Sequence, residues 1–151
     1  MAFQVSLMLK DPPVVLIVVE GTSTPAEIDL IVDSVERVLQ EHDLMTTFNY
    51  TIVDARKATM ALGDVMKITS ERDPRRGAIG DPLSRTIFVG THTMLRITRD
   101  MYMHSNTASP IPIFESYEEA LAFIREMDAA DGHAEARRSQ ASHGDAEAES
   151  D

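Results

Sequence analysis

The 151-residue chain contains no cysteine. That excludes a disulfide framework, a thiolate nucleophile and any Cys-ligated zinc or iron–sulfur site, and makes a reducing cytoplasm the plain expectation. Long apolar runs are missing too. The longest, Val14 to Val19, is far short of the roughly 20 residues that span a bilayer, so no transmembrane segment is expected. The opening stretch MAFQVSLMLKDPPVVLIVVEG has no basic region ahead of its apolar residues and is divided by Asp11, Pro12 and Pro13; two strands are expected there rather than a secretion leader. Basic charge is scarce, with 14 Lys and Arg against 25 Asp and Glu, a net of −11. Such a chain repels phosphate backbones and anionic lipid, so nucleic acid is not an expected partner. His42, His92 and His104 lie far apart, neither HxxxH nor HExxH occurs, and GAIGDP lacks the Lys-Ser/Thr ending of a P-loop. No metal and no cofactor is expected.

What is present reads as one domain over residues 1–128 and a tail over 129–151. The segment AADGHAEARRSQASHGDAEAESD carries six acids and two arginines, a net of −4 that leaves −7 for the body. Its apolar side chains are alanines alone, too little buried area to offset the cost of ordering, so a disordered acidic tail is expected. In the body, FQVSLML and VVLIVVE predict an antiparallel hairpin turning at KDPP. In TPAEIDLIVDSVERVLQEHD, Thr24 and Glu27 form a capping box around Pro25, and Ile28, Ile31, Val32, Val35, Val38 and Leu39 share one face of a helix. FNYTIVDA is a buried strand, ATMALGDVMKITSE a helix interrupted by Gly63, and RDPRRGAIGDPLS a long loop. RTIFVG, THTMLRITRDMYMHSN, PIPIFE and SYEEALAFIREMD follow as strand, helix, strand and helix, the last with a capping box from Ser116 to Glu119. The order β-β-α-β-α-β-α-β-α implies an α/β fold with a mostly parallel mixed sheet joined by right-handed crossovers.

In such sheets the loops beyond the carboxyl ends of the parallel strands receive ligands and partners. EGTSTP, DARKAT, GTHT and ESYE are expected to converge there. Asp54, Arg56 and Lys57 are expected to leave their strand, with Thr59 capping the next helix. That set has two readings: an anion or phosphoryl site eased by the helix dipole, or a capped turn with a solvated ion pair. Thr91 and His92 stand at another helix start, where His92 would be held neutral; an enzyme using Asp54 and His92 is the catalytic option, and no recognisable nucleophile accompanies the pair. Arg72, Arg75, Arg76, Arg85, Arg96 and Arg99 read as a basic island for a small anionic ligand, an acidic partner or the acidic tail, or as plain solvated charge. Met94, Met101, Tyr102 and Met103 offer either core or a pliable surface for homodimerisation.

The hairpin, TIVDAR, TIFVG and the terminal IFESYEEALAFI together resemble the STAS family, and within it the SpoIIAA-like group, over roughly residues 3–128. The resemblance implies a non-enzymatic regulatory domain that binds a protein partner or itself. In the antagonists of that family a strand-end acid precedes an Asp-Ser-Ser/Thr-Gly motif whose hydroxyl is phosphorylated. Asp54 matches the acid, the motif is replaced by ATMALGDV, and Thr59 is the nearest hydroxyl. A module for small ligands or lipids with SEC14-like architecture is the alternative.

Overall fold

The computed structural model describes residues 2–21, 25–59, 83–90, 93, 96–97, 100, 112–133, 135–137 and 139. Five strands and two helices are bounded within them: β1 (Ala2–Lys10), β2 (Pro13–Gly21), α1 (Pro25–Glu41), β3 (Asn49–Ala58), β4 (Ser84–Val89), β5 (Ile113–Phe114) and α2 (Tyr117–Ala130). The strands form one sheet in the order β1-β2-β3-β4-β5. β1 and β2 pair antiparallel and every later pair is parallel. The fold is therefore the mixed α/β arrangement anticipated from the alternation of elements. Thr93, Arg96, Ile97 and Asp100 are helical, in the stretch where a helix was expected. The helix expected from Ala58 onward, the long loop after it and the methionines of the third helix lie outside the described residues.

The continuous β-branched run of β2 is explained by burial on both faces. Val15, Ile17 and Val19 point to one side, where Ile31, Val35 and Leu39 of α1 cover them together with Leu44, Ala55, Ala58 and Phe88. Val14 points to the other, with Tyr50, Ile52, Ile87 and Val89, under Ala120 and Ile124 of α2. Each face of the sheet thus has its own helix.

α1 ends where Asp43 adopts φ 56°. The N–H of Leu44 donates to the Leu39 carbonyl at 2.8 Å and that of Asp43 to the Gln40 carbonyl at 3.2 Å. This is a Schellman ending, in which the residues at its two ends, Leu39 and Leu44, are buried in the same cluster.

Two boundaries differ from the sequence reading. β3 runs on to Ala58 rather than ending with FNYTIVDA at Ala55. β2 continues alongside it, pairing Glu20 with Lys57 and Gly21 with Ala58; those hydrogen bonds outweigh the low strand propensity of Asp, Arg and Lys. The ladder steps two residues along β2, from Val18 to Glu20, but three along β3, from Asp54 to Lys57, which is a β-bulge. It also explains why Ala55 and Ala58, three apart, both reach the α1 side. The second difference is at the end of the last helix: Ala129 and Ala130 complete α2, and His133, 135–137 and Ser139 are helical.

Candidate functional site

Side chains alternate along β3, so Asp54 follows Tyr50 and Ile52 onto the α2 face. It is 5% exposed. Oδ1 of its carboxylate accepts the Arg56 backbone N–H at 3.1 Å and the Arg56 Nε–H at 3.0 Å. Oδ2 accepts Arg56 Nη2 at 2.9 Å and the Tyr117 hydroxyl. The backbone contact to the residue two ahead is an Asx-type turn, which the bulge makes room for.

Tyr117 is the first residue of α2. Ser116 caps that helix by accepting the Glu119 N–H at 3.3 Å, and the Glu119 carboxylate reaches back to the Glu115 N–H at 3.4 Å. This is close to the expected capping box, displaced by one residue at its return bond. The cap fixes where Tyr117 sits. The Arg56 guanidinium then lies over the tyrosine ring, 4.7 Å from its centroid.

Burial pushes the Asp54 carboxyl up, but the hydrogen bonds from Arg56 and Tyr117, the Arg56 backbone N–H and the guanidinium charge outweigh it and hold the group below its ordinary range. The Tyr117 phenol is pushed up by burial and then by the carboxylate it serves. A carboxylate has about four acceptor positions, and here all four are taken. Asp54 is an ionised, locked anchor with no acceptor position left to take a proton from a substrate.

The outward side of the cluster is cationic. The Arg56 side chain is 48% exposed, and Lys57 stands beside it, facing its register partner Glu20 at 3.6 Å. Thr59 is exposed and its N–H donates to the Gly21 carbonyl at 2.8 Å, extending the ladder by one rung. Of the residues singled out in the sequence, Asp54 and Arg56 meet directly, Lys57 adjoins them, and Arg96 is exposed on the helical stretch after β4. Thr91, His92 and Arg99 lie outside the described residues. Arg85 does not belong to a surface island: it faces inward from β4, its Nη1 3.8 Å from Asp131 and its guanidinium 5.4 Å from the Phe123 ring centroid.

Sequence reading missed Tyr117, although ESYE had been placed at the correct edge; its position directly after a cap serine was the available signal. It also missed a second cluster, at the other end of the same face. The buried Tyr50 hydroxyl donates to Asp128 Oδ1 at 3.2 Å. Arg137 donates to Asp128 through Nη1 at 2.8 Å and Nη2 at 2.5 Å, and to Asp11 Oδ1 through Nε at 3.0 Å and Nη2 at 2.9 Å. The Arg137 hydrogen bonds hold the Asp128 carboxyl below its ordinary range against burial, while burial and then the Asp128 charge push the Tyr50 phenol well up. Among the described residues no group of three His, Asp or Glu is placed to hold a metal ion, and no helix is long and apolar enough to cross a membrane.

No protein-family model matches the chain, and no curated protein matches it. A solved structure does: an uncharacterised protein from the DUF3478 family with a SpoIIAA-like fold, from Shewanella loihica PV-4. It superposes with a TM-score of 0.51 at 12% identity, over 81% of this chain and 91% of that one. At that identity the likeness concerns the fold, and it agrees with the hairpin, the parallel strands and the helix on each face: the chain has a SpoIIAA-like α/β fold.

Proposed function

We propose that the protein is a non-enzymatic regulatory or protein-interaction domain that binds a protein partner, or a second copy of itself, through the carboxyl edge of the sheet around Arg56 and Lys57. The observation that carries this reading is the state of Asp54. Its four acceptor positions are filled by Arg56 and Tyr117, so the best-placed acid serves as a mount and the half-exposed guanidinium is what it presents. Arginine and tyrosine are the residue types that anchor interfaces, and an arginine already fixed by two contacts loses less freedom on binding than a loose one. The topology agrees. Among the described strands the order runs from β1 to β5 without the reversal at which doubly wound folds take small ligands.

Native mass spectrometry of untagged protein from its own cells tests the reading. A co-purifying protein or a dimer is expected, and Arg56→Glu is expected to lose it while keeping the wild-type circular dichroism spectrum. A chain that is monomeric under all growth conditions would overturn the proposal, and a retained small molecule would replace it with the SEC14-like alternative. Regulation by modification is proposed at Thr59, exposed at the end of the β2–β3 ladder. Intact mass should show one phosphoryl group in some growth states, absent from Thr59→Ala.

A further inference from the structure

We propose that the segment carrying His133 and Arg137 is a releasable strap, and that Asp128, Tyr50 and Asp11 form a guanidinium-binding site of which Arg137 is the tethered occupant. The segment is joined to α2 by a single turn. Asp131 caps the helix and Gly132 follows with φ 75°, a left-handed conformation that glycine adopts without strain. A Cβ at Gly132 would meet nothing within 4 Å, so the glycine serves the direction of the turn and not close packing.

Beyond the turn, the Ala136 N–H donates to the Gly132 carbonyl at 3.0 Å. The described helical residues lie between His133 and Ser139, and their place on the body is set by what they touch. Among the described residues, two contacts with the body are made. The His133 ring stacks on Phe48 with centroids 3.9 Å apart, and the Arg137 guanidinium bridges two carboxylates that are 117 residues apart in sequence.

The receiving side has a buried inner jaw and an exposed outer one. The Asp128 side chain is 5% exposed and is held by the hydroxyl of Tyr50, which is fully buried. Asp11, on the β1–β2 turn, forms the outer jaw and is 78% exposed. Nη1 and Nη2 are used on the inner jaw, Nε and Nη2 on the outer. That fork geometry is specific to a guanidinium; a lysine ammonium is a single point of charge. With Arg137 withdrawn, the Asp128 carboxylate keeps the Tyr50 hydroxyl and loses the cation that neutralises it. The site therefore recaptures a guanidinium, its own or one offered by another chain.

Arg137→Ala with methylguanidinium as the probe tests this. The variant is expected to melt below wild type and to regain part of the loss at millimolar methylguanidinium, but not with equal methylammonium. Wild type, its site filled, and the Asp128→Asn/Arg137→Ala double variant should not be raised. Equal responses of the single and double variants would overturn the site. If Arg137→Ala does not fold, amide exchange in wild type decides release: the Ala136 amide should exchange on the order of 100-fold faster than that of Ile124, as for a segment that opens on its own. Equal rates would show that strap and α2 open together and would overturn it.

Discussion

The two ends of the contact between β3 and α2 are built from the same three residue types in opposite arrangement. At the carboxyl end of the strand, β3 supplies the aspartate and α2 the tyrosine, as Asp54 and Tyr117. At the amino end, β3 supplies the tyrosine and α2 the aspartate, as Tyr50 and Asp128. An arginine neutralises each carboxylate. The difference lies in where that arginine comes from. Arg56 is two residues from its partner, inside the bulge, so its backbone stays beside Asp54 for as long as the strand is paired. Arg137 is nine residues beyond Asp128 and past a glycine turn, so it can leave and take its segment along. The first arrangement fixes a half-exposed cation as a presented surface; the second makes a closure.

Removing each carboxylate is the severest way to separate them. Asp128→Ala leaves the Tyr50 hydroxyl buried without an acceptor and Arg137, 15% exposed, with Asp11 alone. A loss of about 3–5 kcal/mol is expected, the range for breaking a buried pair by deleting one partner. Asp54→Ala also strands a tyrosine hydroxyl, but Arg56 is half exposed and turns to water, so about 2 kcal/mol is expected. Urea unfolding of both variants checks the order; a larger loss for Asp54→Ala would mean that the carboxyl end carries the more deeply coupled lock.

The tyrosines sharpen the contrast at a smaller scale. Tyr50→Phe is expected to cost about 2 kcal/mol and Tyr117→Phe about 1 kcal/mol, as for hydrogen bonds to charged groups at a fully and a partly buried site. The pH profile has a sign at each limb. Asp54 and Asp128 titrate lower in the folded chain, so the stability they add is complete above the unfolded value of about 3.9 and is lost as pH falls through their folded values. Tyr50 and Tyr117 titrate higher when folded, so theirs is complete below about 10 and lost as pH rises past it. Asp128→Asn should flatten the acid limb and Tyr50→Phe the alkaline one, each read from the denaturant midpoint against pH. A wild-type slope in either variant would remove that group from the account.

The elements of this fold were legible because their signals are local. α1 declared its buried stripe through Ile31, Val35 and Leu39, and α2 its start through Ser116 and Glu119. The reading stopped where distant partners decide. Asp-Ala-Arg-Lys looks like a chain leaving a strand; pairing with Glu20 and Gly21 keeps it in the sheet. In the alanine-rich tail, no motif in the sequence marks Arg137 as the partner of Asp128. Its other partner, Asp11, is 126 residues away. Asp54 stands out in the sequence by its place at the end of a strand, but its hydrogen-bond partner Tyr117 is 63 residues on, and the bulge that orients Arg56 is a property of strand register.

The smallest effects distinguish a surface that holds the fold from one that presents charge. Glu20 and Lys57 are register neighbours at 3.6 Å, with side chains 49% and 75% exposed. Exposed pairs of this kind contribute about 0–1 kcal/mol, because solvent screens the attraction and ordering two long side chains offsets much of the rest. Lys57→Ala is therefore expected to move the urea midpoint hardly at all, within about 0.5 kcal/mol. Partner binding responds differently: rim charges act on the association rate and its salt dependence, so Lys57→Glu should slow association with an acidic partner and flatten its dependence on ionic strength, measured by stopped-flow mixing. Because the carboxyl end is held by Asp54 and not by Lys57, stability and binding should separate there. At the amino end they should not, since Arg137 is at once the charge and the closure; a Lys57 variant that lost stability and binding together would erase the distinction between the two ends.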